Sequence, residues 1–227
     1  MELPIISETF ETLIACCAVL FLSLSLTFFA CRWIDSVYTS AQNSDLLSYP
    51  ERVIPRSRFR KPLLFLLLVC CISKAWYCVT WPALFYFVIA IALLSVVTVT
   101  DFEQYVIFDV TLLPLALCGI GYTLHLHLPF WNHIVAGLGG GFFFFFLTLI
   151  THGAIGGGDI KLIAALGLWL GVRPLLSVIT YGFIAGGIAA LFLLITKQKN
   201  RHDYFAYGPY FALSGIGVLL GWIHKLF

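Results

Sequence analysis

Two aspartates lie where the chain is otherwise apolar. Asp159 directly follows a run of three glycines, and Asp101 ends another apolar run. A charged side chain inside a membrane protein costs roughly 2.5–3.5 kcal/mol on insertion scales, so an acid kept there is a candidate functional residue. Two carboxylates held close together favour acid/base chemistry on water. We therefore predict that Asp101 and Asp159 form a pair, with their carboxylates within about 10 Å of each other.

The residues around Asp159 are expected to shape this site. Gly156, Gly157 and Gly158 can adopt backbone angles that bring the chain close to a substrate. A helix that starts at Asp159 would leave its first N–H groups free and place the acid at the positive helix end. Lys161 does not share a helix face with Asp159, so no ion pair between them is expected. We expect Lys161 to reach the cytoplasmic interface, and a site-shaping role remains the alternative.

The segment after Asp101 contains two further acids, Glu103 and Asp109. Three acids in nine residues raise the hypothesis of a metal site. However, Glu103 and Asp109 fall in a predicted solvated turn, and no histidine joins them at ligand spacing. All seven cysteines lie in apolar runs without a C-x-x-C pair, which argues against zinc and against a disulfide framework. We therefore predict solvated loop acids and no metal site.

The composition is that of an integral membrane protein. Hydrophobic residues make up 61% of the 227 residues and charged residues 11%, whereas soluble domains carry about 25% charged residues. The length allows about seven or eight spans and no sizeable soluble domain. A net charge of +2 is too small to indicate a nucleic-acid partner.

The apolar runs predict an all-α, polytopic helix bundle in the lipid bilayer. The first run follows an acidic start and lacks an A-x-A cleavage site, so it is interpreted as a retained span. The sixth run is short for a full crossing, which is typical of a helix that begins inside the protein at a cavity. The predicted spans are 12–31, 62–80, 82–100, 110–128, 131–151, 160–172, 174–196 and 208–224.

Basic residues indicate the orientation of these spans. Those after the first predicted span are Arg32, Arg52, Arg56, Arg58, Arg60 and Lys61, and those after the seventh are Lys197, Lys199 and Arg201. The opposite side carries Lys74, Arg173 and Lys225. The positive-inside rule places the two basic loops in the cytoplasm, and both aspartates then lie on the cytoplasmic side. The stretch from Asp35 to Lys61 is predicted as a polar, partly disordered loop.

Three segments resemble the type IV prepilin peptidases, a family of GxGD aspartic membrane peptidases. Residues 156–167 resemble the family's GxGD-x-K-L segment. Asp101, Ile107 and Asp109 resemble its other aspartate segment, in which an acid precedes an Ile/Leu-Pro-Asp triplet by six residues; this chain has Phe108 in place of the usual proline. Residues 207–213 resemble the Gly-Pro start of the family's last span. The resemblance covers about residues 62–220.

The resemblance implies an aspartic endopeptidase of the bacterial inner membrane. Such an enzyme removes the short basic leader of single-span prepilin or pseudopilin-like proteins at the cytoplasmic boundary of their hydrophobic segment. Asp101 and Asp159 are the catalytic residues that it implies, and proteolysis needs no cofactor. Residues 1–61 would be a first span with a short basic cytoplasmic loop, and residues 62–227 the membrane-embedded peptidase domain.

Many family members also N-methylate the new terminus, using S-adenosylmethionine and an amino-terminal cytoplasmic domain that often carries two C-x-x-C pairs. In this chain no cysteine lies between Arg32 and Val69. The peptidase half of the resemblance is therefore the supported half. S-adenosylmethionine is expected as a cofactor only if methylation is retained.

Two other classes of protein fit the same acids. A proton- or ion-coupled transporter could use Asp101 and Asp159 as a relay, since intramembrane acids and glycine-broken helices also mark such sites. Transporters usually place their acids near the midplane and show repeated halves, whereas these acids lie near one face and no repeat is evident. A structural membrane subunit, in which the acids only cap helices, is the third alternative.

Overall fold

The computed structural model describes residues 3–42, 47, 57–153, 155–197 and 205–221, with only the backbone described for 3–10 and 42. Within these residues the chain is helical and has no strand. The helices are α1 (Leu3–Gln42), α2 (Arg60–Cys78), α3 (Trp81–Gln104), α4 (Asp109–His125), α5 (Phe130–Ile150), α6 (Gly157–Leu170), α7 (Val172–Ile195) and α8 (Gly208–Leu219).

Each of the eight predicted spans corresponds to one of these helices, so the prediction of an all-α membrane bundle is confirmed. Among the described residues, five segments are long and apolar enough to cross a membrane: Glu11–Ala41 of α1, and the helices α2, α3, α5 and α7. The other three helices, α4, α6 and α8, have 17, 14 and 12 residues, whereas a full crossing needs about 20. The expected short helix at the glycine run is α6.

The first helix is longer than predicted, and the polar loop begins later. Helix α1 continues to Gln42, so the loop prediction is wrong for Asp35–Gln42. Residues on one side of this extension, Cys31, Ile34, Tyr38 and Ala41, are buried and pack with residues of α2 and α3. Their helical spacing explains why the helix persists beyond the predicted span. Of the basic residues used for orientation, Arg52, Arg56, Lys199, Arg201 and Lys225 lie outside the described residues.

Two central helices, α3 and α6, carry the predicted acids. Helix α3 packs against α2, α4 and α8, and α6 packs against α4, α5, α7 and α8. Helix α8 therefore lies against both central helices. Because Asp101 is in the last turn of α3 and Asp159 in the first turn of α6, the start of α8 is in a position to meet both acids.

The far end of α6 is fixed by an aromatic anchor. Trp169 is 2% exposed, stacks on Tyr122, and donates a hydrogen bond from its indole N–H to the carbonyl of Leu115 at 2.9 Å. A buried indole usually finds such an acceptor. This anchor lies about 15 Å along α6 from Asp159, given the rise of a helix per residue.

Candidate active site

Asp101 lies one turn before the end of α3 and is 5% exposed. The helix ends because Tyr105 takes a left-handed conformation with φ 56°, and its N–H bonds to the carbonyl of Asp101 at 3.0 Å. Phe108, which replaces the family's usual proline, is extended with φ −83° and ψ 134°. That φ is close to the value a proline ring imposes, so the local turn keeps a shape that proline would also favour.

Asp159 lies in the first turn of α6 and is 9% exposed. The helix begins at Gly157, two residues earlier than predicted, with extended Gly156 as its N-cap. The Asp159 N–H bonds to the Gly156 carbonyl at 3.1 Å. The acid therefore sits at a helix N-terminus, where the dipole favours negative charge.

The three glycines of the run differ in their surroundings. A Cβ on Gly158 would lie 2.9 Å from the Cβ of Ile107, so the segment between α3 and α4 approaches the backbone too closely for a side chain. A Cβ on Gly156 would lie 3.5 Å from Oδ2 of Asp159, which is ordinary contact. A Cβ on Gly157 would meet no described atom within 4 Å. Of the three, Gly158 is the one whose place is set by packing.

The two acids converge on Gly208, at the start of α8. A Cβ on Gly208 would lie 2.5 Å from Oδ2 of Asp101 and 3.0 Å from Oδ1 of Asp159. These two oxygens are therefore within 5.5 Å of each other. The predicted approach within about 10 Å is confirmed. One water molecule or one peptide carbonyl could touch both carboxylates at this separation.

The carboxylates have few partners besides backbone donors. The backbone N–H of Gly208 faces Asp101, and that of Gly156 faces Asp159. Oδ1 of Asp159 is buried and accepts no hydrogen bond from any residue that the structure describes. Two close, buried carboxylates do not readily both ionise, so the pair is expected to share a proton. One member can then act as base while the other donates a proton.

Lys161 makes its ion pair with Asp109. Its Nζ lies 2.8 and 2.7 Å from the two carboxylate oxygens, and both side chains are largely exposed. The exposure of Asp109 agrees with the predicted solvated acid. The pair links Lys161 of α6, two residues after Asp159, to the first residue of α4.

Glu103 is not the solvated loop acid that was predicted. It is 6% exposed and accepts hydrogen bonds from Arg60 Nε, Arg60 Nη2 and the Tyr38 hydroxyl. The error has a physical reason: α3 continues to Gln104, so Glu103 lies on a helix face that packs against α1 and α2. Arg60, counted above as a loop charge that reports orientation, is likewise buried, with 3% exposure.

Two residues of the site were not predicted to belong to it, Gly208 and Ile107. The Gly-Pro pair at 208–209 indicated the start of a helix, but its contact with both acids depends on how α8 packs between α3 and α6. Ile107 was noted only as part of the resemblance of residues 101–109 to the family's other aspartate segment, which assigned it no contact. It fills the space between Gly158 and Gly208, since a Cβ on either would lie within 3 Å of it.

Comparison with known proteins agrees with this geometry. Residues 87–191, just under half of the chain, match the model of the type IV leader peptidase family. The matched segment includes Asp101, Asp159 and the glycine run, but ends before Gly208.

Three curated relatives carry the name prepilin leader peptidase/N-methyltransferase. The protein of Bacillus subtilis (strain 168) is 30% identical over 134 residues, which cover 59% of this chain and 54% of the relative. That of Dickeya chrysanthemi is 31% identical over 153 residues, 63% of this chain and 53% of the relative. That of Neisseria gonorrhoeae is 31% identical over 148 residues, 62% of this chain and 50% of the relative.

The chain thus spans about half the length of these three relatives. No solved structure matches it. The family match runs from within α3 to within α7 and includes both acids. Residues 87–191 are therefore similar to the type IV leader peptidase family.

Proposed function

We propose that this chain is a membrane aspartic endopeptidase that cleaves the leader peptide of type IV prepilin or pseudopilin-like proteins. The observation that carries the proposal is the convergence of Asp101 and Asp159, whose nearest oxygens lie within 5.5 Å of each other beside Gly208. The names of the curated relatives supply the substrate class. Two carboxylates close enough to contact one water molecule support acid/base hydrolysis as the reaction type.

The pair can hydrolyse a peptide bond without a cofactor. The ionised carboxylate takes a proton from water, and the oxygen of that water bonds to the scissile carbonyl carbon. The protonated carboxylate donates its proton to the carbonyl oxygen. Collapse of the tetrahedral intermediate breaks the C–N bond. The leaving amine takes a proton from the acid that received one from water, and a hydroxyl of the intermediate returns its proton to the other carboxylate as the new carbonyl forms. One carboxylate is then ionised and the other protonated, as at the start.

The substrate is expected to approach from the cytoplasm. Glu103, two residues after Asp101, contacts residues at the end of α1 and at the start of α2, so these three helix ends lie together. The same end carries the exposed basic residues Arg32, Arg58 and Lys61. The positive-inside rule supports a cytoplasmic position for this end in the bacterial inner membrane. A short basic leader that precedes a hydrophobic segment would be found there.

A cleavage assay tests the proposal. The purified protein in detergent is incubated with a prepilin-like substrate, and the product mass is followed for wild type, Asp101→Asn and Asp159→Asn. Either amide removes an ionisable group from the pair, so we expect the rate of cleavage to fall at least about 100-fold. Glu11→Gln is the matched control, because it makes the same change from acid to amide at an exposed residue. Glu11 lies about 36 Å along α1 from Asp35, and thus far from the end of α1 that contacts Glu103.

The outcomes separate the candidate functions. Cleavage that survives either aspartate substitution would contradict the pair. No cleavage by folded wild type across several substrates would contradict the peptidase, and aspartate-dependent proton uptake into proteoliposomes would then favour a transporter. Adding S-adenosylmethionine to the same assay shows whether the product gains a methyl group, which the peptidase proposal does not require.

A further inference from the structure

A charge cluster, buried except for Asp35, contacts the helix end that carries Asp101. The cluster consists of Arg60, Glu103, Tyr38 and Asp35, and we call it the Arg60 cluster. Arg60 donates from Nε to Oε1 of Glu103 at 2.9 Å, from Nη2 to Oε2 at 2.7 Å, and from Nη1 to Asp35 at 2.5 Å. Its guanidinium also lies over the Tyr38 ring, 5.2 Å from the centroid. Three helices, α1, α2 and α3, thus meet at one side chain.

The cluster lies behind Asp101 as seen from the site. Two residues along a helix correspond to a rotation of about 200°, so Glu103 projects from α3 on nearly the opposite side to Asp101. Asp101 faces Gly208 and Asp159, while Glu103 faces Arg60 and Tyr38. Any rotation of the last turn that moves Glu103 therefore moves Asp101 as well.

Stability alone does not explain a buried ion pair here. Replacing such a pair with apolar residues of similar volume is often neutral or stabilising, because burial removes both charges from water. What the guanidinium adds is direction, since its planar fork fixes a carboxylate through two parallel hydrogen bonds. The last turn of a helix otherwise frays, because its carbonyl groups lack partners within the helix.

We infer that Arg60, acting through Glu103, is a positioning residue that holds the last turn of α3 so that Asp101 points at Asp159. This inference rests on the proposed peptidase function. It assigns a role in catalysis to α1 and α2, which lie outside the segment matched to the family at residues 87–191. It also assigns Glu103 a structural partner 43 residues away in sequence instead of a place in solvent.

The test removes the directional contacts while keeping the fold. The triple variant Tyr38→Phe/Arg60→Met/Glu103→Met replaces the cluster's buried polar groups with apolar ones of similar size. Asp35 remains, and its side chain is 66% exposed. We expect leader cleavage with kcat about 10- to 100-fold below wild type, since small misplacements of catalytic groups have effects of this size. KM should stay within about twofold, because the three replaced side chains are buried.

The control is Trp169→Phe, which removes a buried hydrogen bond at the far end of α6. It should lower the melting temperature in detergent without lowering kcat more than about twofold. A triple variant that keeps kcat within about twofold of wild type would overturn the inference. So would an equal fall in kcat for Trp169→Phe, since loss of stability would then explain both.

Arg60→Lys decides the matter if the triple variant does not fold. It keeps the positive charge but loses the planar fork, so kcat should fall at an unchanged KM. Wild-type kcat in Arg60→Lys would overturn the inference. Absence of cleavage by wild type would overturn the proposed function and this inference together, whereas cleavage by wild type with full activity in the variants overturns the inference alone.

Discussion

The end of α3 and the start of α6 each carry one acid of the pair, and they hold it by different means. At the end of α3, side chains fix the position of the acid: Arg60 donates hydrogen bonds to Glu103, on the face of the last turn opposite Asp101. At the start of α6, the backbone fixes the position of the acid: Gly156 is the N-cap of the helix, and Gly158, which has no side chain, allows the α3–α4 segment to approach closely. One acid thus depends on distant charged partners, and the other on the absence of side chains.

The difference predicts which substitutions should lower activity at each position. At the start of α6, which we call the glycine side, activity should fall when a methyl group is added, because the methyl group forces neighbouring atoms apart. At the end of α3, which we call the α3 side, activity should fall when charged partners are removed, because the last turn of α3 is then no longer held in place. Gly208 is common to both sides, because a Cβ at this position would lie 2.5 Å from an oxygen of Asp101 and 3.0 Å from an oxygen of Asp159.

Gly208→Ala should have the largest effect on activity. The added Cβ would lie 2.5 Å from Oδ2 of Asp101, closer than such atoms can pack, and 3.0 Å from Oδ1 of Asp159, which is a very tight contact. The carboxylates can rotate away, so the fold should survive, but the pair would lose its geometry. We expect cleavage to fall at least about 100-fold with little change in melting temperature.

The matched control for this substitution is Gly187→Ala in α7, where a Cβ would meet no described atom within 4 Å. It should keep wild-type cleavage and, as alanine favours helix, gain up to about 1 kcal/mol in stability. Cleavage by Gly208→Ala close to that of Gly187→Ala would mean that α8 does not border the working site.

Gly158→Ala should have a smaller effect on activity and a larger one on stability. Its Cβ would lie 2.9 Å from the Cβ of Ile107, an atom fixed to the backbone, so the first turn of α6 or the α3–α4 segment must move. We expect cleavage to fall about tenfold and unfolding free energy to fall by roughly 1–3 kcal/mol, the usual penalty of overpacking. Cleavage rates and melting curves in detergent measure both.

Gly157→Ala sharpens this result within the same run. A Cβ at Gly157 has open space, so Gly157→Ala should lose much less cleavage activity and stability than Gly158→Ala. An equal or larger loss at Gly157 would contradict the packing argument and would mean that substrate backbone passes over that position.

The sequence predicts the glycine side well and the α3 side poorly. The run Gly156–Asp159 carries its information locally, since a glycine run followed by an acid and an apolar helix specifies a cap and a close approach. Asp101 was also found from its place at the end of an apolar run. The all-helical class and the order of the helices followed from the lengths of these runs.

The Arg60 cluster was missed because its information is not local. Glu103 and Arg60 are 43 residues apart, and Glu103 and Tyr38 are 65 apart. Each residue alone resembles an ordinary polar residue near a membrane boundary. Only the extension of α1 to Gln42 and of α3 to Gln104 places them on facing helix surfaces. Both helices continue beyond the apolar run from which their ends were predicted.

Lys161→Met should have the smallest effect, and it compares the exposed ion pair with the buried one. The side chains of Lys161 and Asp109 are 58% and 70% exposed, whereas the side chains of Arg60 and Glu103 are 3% and 7% exposed. Exposed ion pairs contribute at most about 1 kcal/mol, and salt screens them. We expect a small loss of melting temperature that shrinks at high salt, with cleavage within about fivefold of wild type.

Asp109→Asn is the matched partner for this last substitution. If Lys161 serves only to bind Asp109, the two single variants and the double variant should all have the same effect, because each removes the same contact. A much larger loss of cleavage in Lys161→Met than in Asp109→Asn would contradict a purely structural ion pair. Lys161 would then have a second contact, with the substrate, and the solvent side of α6 would belong to the site.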